Sequence, residues 1–499
     1  MRKSLTFLLS FIMLFSIAGS AFAQEGQAVR LMGFELQDNN RLWSENRFFE
    51  RMEQRTGIRF EYHQYGELTA YLAAVNALQK DQEDLPEALL KARLDPVLAQ
   101  ELYDRGVLID LAPLLDEHMP NLSALMAQDP SIRSAITLQS GIIPALPFIA
   151  QSPGQNILWI NKDWLATLRL EMPANAKELE AVLSAFLKDD PNRNGRKDEV
   201  PLSFIGPYDL KYLAHAFGMA ANDFNVYLVA GQVQFLPFHE NFEAFVTWLA
   251  GMYKDGLLDK SGFSTIDTLR RVTDAKGINK FGAFFSPLPT GVVPVEWTSQ
   301  YQALLPLEYE GKSVYRMVSG PVHYGAFALT TACRDVPAML KWVDYLYSLE
   351  GSVLASIGQE GTDYVVDGDG SWRLLSEAGD TSYFSRAIIS SDYSMPGIAS
   401  DEYQMNYHDP VVRSLTEQTR AVAERSVLPY PDIPLTREQV ELILPLQNQL
   451  GRYVDESIAR FVLGEWDTGR EQFDTFKQEL ENLGAQEFLD IWQNLLTRR

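Results

Sequence analysis

Residues 28–62 read AVRLMGFELQDNNRLWSENRFFERMEQRTGIRFEY. Residues 28–36 open as a short apolar strand. Trp43, Phe48, Phe49 and Met52 then recur at helical spacing, which predicts an amphipathic helix. Gly57 ends that helix, and residues 56–62 return as a second strand. Strand, helix and strand in this order predict a βαβ unit and a parallel sheet.

Further along, residues 71–80 read as a helix and residues 86–90 as a strand. Helix-rich material fills the middle, for example residues 176–186 and 242–253. Helical pattern returns at residues 436–461 and 469–496. Thr436 followed three residues later by Gln439 predicts a capping box. No fixed-period repeat or low-complexity tract is present, which excludes solenoids and propellers. Loops rich in Gly and Pro punctuate the chain without forming a linker, so two intertwined α/β domains fit better than separate beads.

The N-terminal stretch has the three parts of a secretory signal peptide: Arg2-Lys3, an apolar run over residues 5–17, and a small-x-small end at Ala21-Phe22-Ala23. Cleavage near Ala23 is expected. No Cys follows the apolar core, so the lipid-modified form of such signals is absent. Without residues 1–23 the chain keeps 476 residues, and loss of Arg2 and Lys3 takes its formal charge from −23 to −25. That length exceeds what one core supports, so two domains are expected. A charge of −25 argues against nucleic acid and anionic membranes as partners. The single Cys333 has no internal disulfide partner and follows an apolar run that reads as a buried strand, so a buried, inert thiol is expected.

The most chemically specific stretch is residues 190–199, DPNRNGRKDE. Side-chain oxygens recur at Asp190, Asn192, Asn194 and Asp198, with Glu199 next. A hard cation such as Ca²⁺ takes six to eight oxygens, which a tight loop supplies when alternate residues point inward. Gly195 permits the sharp turn, and Arg196 offers its main-chain carbonyl. The spacing follows an EF-hand loop for nine positions, but the twelfth is Pro201, so Glu199 would close the shell. The role expected is structural. The alternative is a metal-free, Asx-rich turn.

With its surroundings this loop resembles the extracellular solute-binding family 1 proteins, the carbohydrate-binding subunits of ABC importers, and is similar to their alginate-binding and LplA-like lipoprotein members. DPNRNGRKDEVPL at 190–202 looks like their DPNGNGKKDEIPL. Residues 159–190, which open WINKDWLATLRLEMP, look like the preceding segment. DLPEAL at 84–89, GVLIDLAPLLDEHMPNL at 106–122 and IGQEGTDYVVDGDGSW at 357–372 extend the likeness. So does a helical tail marked by Tyr453, Phe461, Gly464, Trp466 and Leu483-Gly484. Glu87 stands where the family has Asp, and residues 141–147 lack its Tyr.

The resemblance implies an α/β, two-lobed type II periplasmic binding fold with a hinge and a helical C-terminal region. Residues 24–150 and about 315–385 would form the N-terminal lobe. Residues 151–314 and about 386–499 would form the C-terminal lobe, which carries the calcium loop. It implies a structural Ca²⁺ held by Asp190, Asn192, Asn194, the Arg196 carbonyl, Asp198 and Glu199. It implies a periplasmic monomer that captures an oligosaccharide and delivers it to an inner-membrane permease, or presents it to a membrane sensor.

Sugar rings have apolar faces and polar rims, so aromatics in polar, loop-like settings are candidates for the cleft. Trp297, within Val295-Glu296-Trp297-Thr298-Ser299, is the foremost. Tyr208 and Tyr393 stand in similar loops. Trp159 lies on an apolar strand leading into the inter-lobe region, where core packing is its first reading and the cleft its second, and Trp43, just after the first strand, could face the cleft from the N-terminal lobe. Trp248, Trp342, Trp466 and Trp492 fall at helical spacing and read as packing residues. Glu360 could bond sugar hydroxyls or simply sit in a turn beside a hairpin over Asp367-Gly368-Asp369-Gly370. No zinc-protease helix, nucleophile elbow or P-loop is present. A glycosidase needs only two carboxylates, so 66 acidic residues leave that class to assay.

Overall fold

The strand Val29–Phe34 pairs in parallel with Phe60–Tyr65, and the helix Arg47–Thr56 lies between them in sequence. The Asn46 side chain accepts from Phe48 N and starts this helix. Gly57, at φ 73°, ends it in the left-handed region that Gly enters without steric cost. Strand alternation splits the apolar residues between two cores. Leu31 joins Phe48, Phe49 and Met52 on one face of the sheet, whereas Met32 and Phe34 join Tyr71 and Leu89 on the other.

The computed structural model describes residues 28–37, 41–150, 154–264, 272–273, 276–318, 320–376, 381–390, 394–399 and 401–497. The expected signal peptide and Tyr393 lie outside the described residues.

Six strands make the first sheet, in the order Gly397–Ala399, Leu146–Ala150, Val322–Leu329, Ala88–Leu90, Val29–Phe34 and Phe60–Tyr65. Val322–Leu329 runs antiparallel to both its neighbours, and the other pairings are parallel. A second sheet has the order Tyr301–Ala303, Ile157–Asn161, Phe281–Ser286 and Val200–Ser203. Its core extends into the C-terminal helices Arg437–Leu463, Arg470–Asn482 and Ala485–Thr497. There Phe461 stacks on Phe473 at 4.4 Å and Phe242 on Phe476 at 5.8 Å. The capping box at Thr436 and Gln439 is present.

The chain passes between the sheets after Ala150, after Arg316 and after Ala399. Ala150 N donates to Pro321 O at 2.8 Å, Val318 N to the Gln155 side chain at 3.2 Å, and Gly320 N to Asp432 Oδ2 at 3.0 Å. The first two bonds tie the first and second crossings to each other, and the third ties the second crossing to the segment ahead of the C-terminal helices. The third crossing corrects the boundary expected near residue 385. Ile389, Met395 and Ile398 pack in the first lobe's core, and Gly397–Ala399 pairs with Leu146–Ala150, so the chain stays there through 399. Beside the crossings the lobes also touch through an Arg437–Glu101 ion pair and a reciprocal amide pair, Gln139 with Gln439, at 2.7 and 3.1 Å.

Strand directions fix what faces the crossings. In the first sheet it is the C-terminal ends of Val29–Phe34, Ala88–Leu90 and Leu146–Ala150. In the second it is the C-terminal ends of Val200–Ser203 and Phe281–Ser286. Cys333 is half-buried rather than fully buried, because it follows the end of its strand; burial still pushes its thiol up to about 11. No helix among the described residues is long and apolar enough to cross a membrane.

Candidate functional site

Residues 190–199 connect the helix Ala176–Lys188 to the strand Val200–Ser203, at the end of the second sheet away from the crossings. The six-residue strand Phe281–Ser286 separates the two ends by roughly 17 Å. Asp190 at φ 48°, Arg193 at φ 55° and Gly195 at φ 75° coil the loop tightly. The Asp190 carboxylate accepts from Asn194 N at 3.1 Å and from Gly195 N at 3.0 Å. Asn192 Oδ1 accepts from Asn194 N at 3.0 Å, and Asn192 Nδ2 donates to Asn279 O at 3.2 Å. Asn194 Oδ1 accepts from Arg196 N, and Asn194 Nδ2 donates to Asp198, both at 2.8 Å.

Glu199 is only 7% exposed, and both its carboxylate oxygens are buried without a hydrogen-bond partner. Burial, together with the charges of Asp190 and Asp198, pushes its pKa up to about 7. A buried, unpartnered carboxylate beside two others is costly unless a cation compensates it, so this donor set fits a hard divalent ion. Among the described residues no three His, Cys, Asp or Glu side chains close on a common point. Half of the expected ligand set consists of amide and main-chain oxygens.

A second constellation forms where the lobes meet. After Val200–Ser203 the chain turns into the short helix Gly206–Lys211, which presents Tyr208. Asp209 anchors that turn. Its carboxylate accepts from Ile205 N and from Asn156 Nδ2, each at 2.7 Å, and burial pushes its pKa up to about 6. Tyr208 remains 39% exposed, with its hydroxyl 3.1 Å from that of buried Tyr212. The Arg316 guanidinium, on the last residue before a crossing, lies 3.9 Å from the Tyr212 ring centroid and 5.4 Å from that of Tyr208. Arg316 pairs with Asp223 at 3.0 Å. Such cation–π contacts fix ring orientation as well as adding attraction. His215, whose pKa burial lowers to about 4, accepts from Leu307 N at Nε2 at 2.9 Å, and its Nδ1 donates to Tyr212 O at 2.5 Å.

The other sequence candidates divide. Trp43 is fully buried against Phe49 and Tyr62, its indole N–H bonded to Glu35 at 3.3 Å. Trp159 is fully buried in the second core, its N–H bonded to Ser286 O at 2.9 Å. Both are corrected to core residues, since neither offers a face for a sugar. Trp297, on the turn Val295–Gln300, is half-buried against the second core. Glu360 is exposed in a turn beside the hairpin Tyr364–Val366 and Trp372–Leu374. Sequence reasoning missed Asn156, Tyr212, Asp223 and Arg316, which no local pattern distinguishes.

Two α/β lobes joined by three chain crossings, with an aromatic rim at the junction, make the two-lobed fold that periplasmic solute-binding proteins have. The chain is 27% identical over 479 residues to the fructooligosaccharide ABC transporter substrate-binding protein FusA of Streptococcus pneumoniae, covering 90% of this chain and 86% of that protein. The structure of FusA with kestose superposes with a TM-score of 0.69 at 23% identity, over 95% of this chain and 99% of that one. A FusA EF-hand mutant with fructo-nystose gives 0.68 at 24% identity, with the same coverage. An extracellular solute-binding protein of Bifidobacterium longum subsp. infantis gives 0.76 at 20% identity, over 94% and 98%. No protein-family model matches the chain. Over most of its length the chain is thus similar to a substrate-binding protein of an ABC transporter, and it shares the fold of that protein.

Proposed function

We propose that this protein captures a neutral oligosaccharide between its lobes in the periplasm and delivers it, as a monomer, to the permease of an ABC importer. The observation that carries this reading is the rim at the crossings. There an exposed ring, Tyr208, is locked by Tyr212 and Arg316 where both lobes meet. A ligand that touches both lobes only when they close shifts the population to the closed form. Trp297 is a second stacking candidate, on the loop that leaves the hinge end at Ser286. The fructooligosaccharide relative supports an oligosaccharide ligand, and the acidic balance of the chain favours a neutral one. Residues 1–23 would direct export and be removed.

The loop at 190–199 would hold Ca²⁺ through Asp190, Asn192, Asn194, Asp198, Glu199 and the Arg196 carbonyl. The ion would supply the positive charge that Glu199 lacks. Its place at the far end of the second sheet makes it a structural clamp. The EF-hand of FusA supports the same reading.

A thermal-shift screen of the protein against neutral and uronic oligosaccharides tests the function. Stabilisation by a neutral glycan, with stoichiometric binding, is expected. No shift with any glycan, or steady release of reducing sugar, would refute it.

A further inference from the structure

Asp209 stands next to Tyr208 on the helix Gly206–Lys211, and at 2% exposed it cannot touch a ligand itself. Its two oxygens serve different parts of the chain. Oδ2 accepts from Ile205 N, a local bond that closes the turn into the helix. Oδ1 accepts from Nδ2 of Asn156, 53 residues earlier and the last residue of the first crossing before the strand Ile157–Asn161. A carboxylate taken out of water is costly, and the accepted bonds offset that cost.

Asn156 is in turn tied into the hinge. Its carbonyl accepts from the Tyr315 hydroxyl at 2.9 Å, just ahead of the second crossing. The preceding Gln155 accepts from Val318 N at 3.2 Å and donates to Ser426 Oγ at 3.1 Å. Tyr315 N donates to Arg425 O at 2.9 Å, and Met317 N to Val427 O at 2.8 Å. The two crossings and residues 425–427 are thereby laced together. Tyr315 also stacks on Tyr212 at 5.6 Å, so the rim is attached to the hinge twice, by that ring stack and by the Asn156–Asp209 bond.

We infer that Asp209 is a positioning residue for sugar recognition: through Asn156 it holds the Tyr208 helix to the first crossing, so the crossing and the ring turn together. This role rests on the proposed function and deepens it. A ring presented in step with lobe closure meets the ligand better in one state than in the other, which is the differential contact that a population shift requires. The groups around Asp209 are Arg316 and Tyr315 from the second crossing. His215 lies behind Tyr315 at 5.1 Å and is neutral above about pH 4. Asp455, on the packed helix Arg437–Leu463, is turned to Lys211 instead, at 2.9 Å. Burial pushes the Asp209 carboxyl up to about 6 against the nearby Arg316 charge, so below that pH it carries a proton where two N–H donors face it.

The test is calorimetric titration of the full chain with kestose, nystose and maltotriose, followed with the sugar that binds most tightly. Asp209→Ala and Asn156→Ala are made alone and in the Tyr208→Ala background. Acting through one aromatic contact, each alone should weaken binding about threefold to fivefold, and neither should add more than about 1.5-fold once the ring is gone. Asp209→Asn keeps an acceptor for Ile205 N, and Asn156 can turn its amide oxygen towards it, so most of the affinity should return. That variant should bind evenly from about pH 7.5 to about pH 5, while the unaltered protein weakens about threefold as its carboxyl protonates. Should Asp209→Ala fail to fold, Asn156→Ala decides, since it leaves the bond within the turn intact. Equal losses with and without the Tyr208 ring would overturn the positioning role. So would unchanged affinity in the single variants, or identical pH profiles for Asp209→Asn and the unaltered protein. Failure of the unaltered chain to bind any of the three sugars would instead refute the functional reading, and with it the role of Asp209.

Discussion

The oxygen loop and the aromatic rim sit at opposite ends of the same sheet and are built in opposite ways. The loop draws its donors from ten consecutive residues, and its conformation is set by local bonds between Asp190, Asn192, Asn194 and their neighbours' amides. The rim draws on Asn156, Tyr208, Tyr212, Asp223 and Arg316, residues separated by up to 160 positions and joined only by the fold. A metal clamp needs many oxygens around a point, which a short coil provides. A sugar cleft must be shared by two bodies that move, so its parts come from the segments that cross between them.

Trp159 lies between the two regions, on a strand of the sheet that connects them. Trp159→Ala removes a fully buried indole and its bond to Ser286 O, and should cost about 3–5 kcal/mol of stability in urea unfolding. A loss below about 1 kcal/mol would return Trp159 to the cleft.

The loop predicts a calcium effect next in size. At one hundred times its dissociation constant Ca²⁺ should add about 2.7 kcal/mol, and Asp190→Ala should abolish the gain. Identical melts with calcium and with chelator would remove the ion from the loop. Chelation also exposes a pH dependence. Glu199 holds its proton more tightly folded, with a pKa of about 7 against an ordinary 4.5, so the folded state binds more protons between those values. Stability of the chelated protein should therefore fall as pH rises from about 4.5 to about 7, by about 1–3 kcal/mol. Glu199→Gln should flatten that slope, and saturating calcium should oppose it; a chelated profile that rises over this interval would contradict the assignment.

What the sequence disclosed follows the same division between local and distant. The βαβ start, the capping box at Thr436 and Gln439, and the hairpin beside Asp367 are local patterns, and each stands in the structure. The lobe boundary near 385 failed because edge pairing of Gly397–Ala399 with Leu146–Ala150 is a long-range event that leaves no mark in composition. Trp43 and Trp159 stayed open between cleft and core for a related reason. A tryptophan in or just after a strand reads alike whether it faces a cleft or a core, and only the packing partners, Phe49 for one and Ser286 for the other, decide. Arg316 was invisible, since its meaning lies in Tyr208, Tyr212 and Asp223, none of them near it in sequence.

The smallest expected effect falls on the rim, and it separates recognition from architecture there. Tyr208→Ala removes a part-exposed ring, itself outside the core, that is held by the ring and hydroxyl of Tyr212 and the flank of Arg316, so the fold should melt within a degree or two of the unaltered protein. Affinity for the stabilising oligosaccharide should drop about fivefold to tenfold, the scale of one lost aromatic contact. Tyr208→Phe keeps the ring and should retain most of that affinity if stacking is the contribution. Equal losses in both variants would instead assign the role to the hydroxyl. No loss in either would leave the junction of the lobes as a structural feature, with the sugar seated elsewhere.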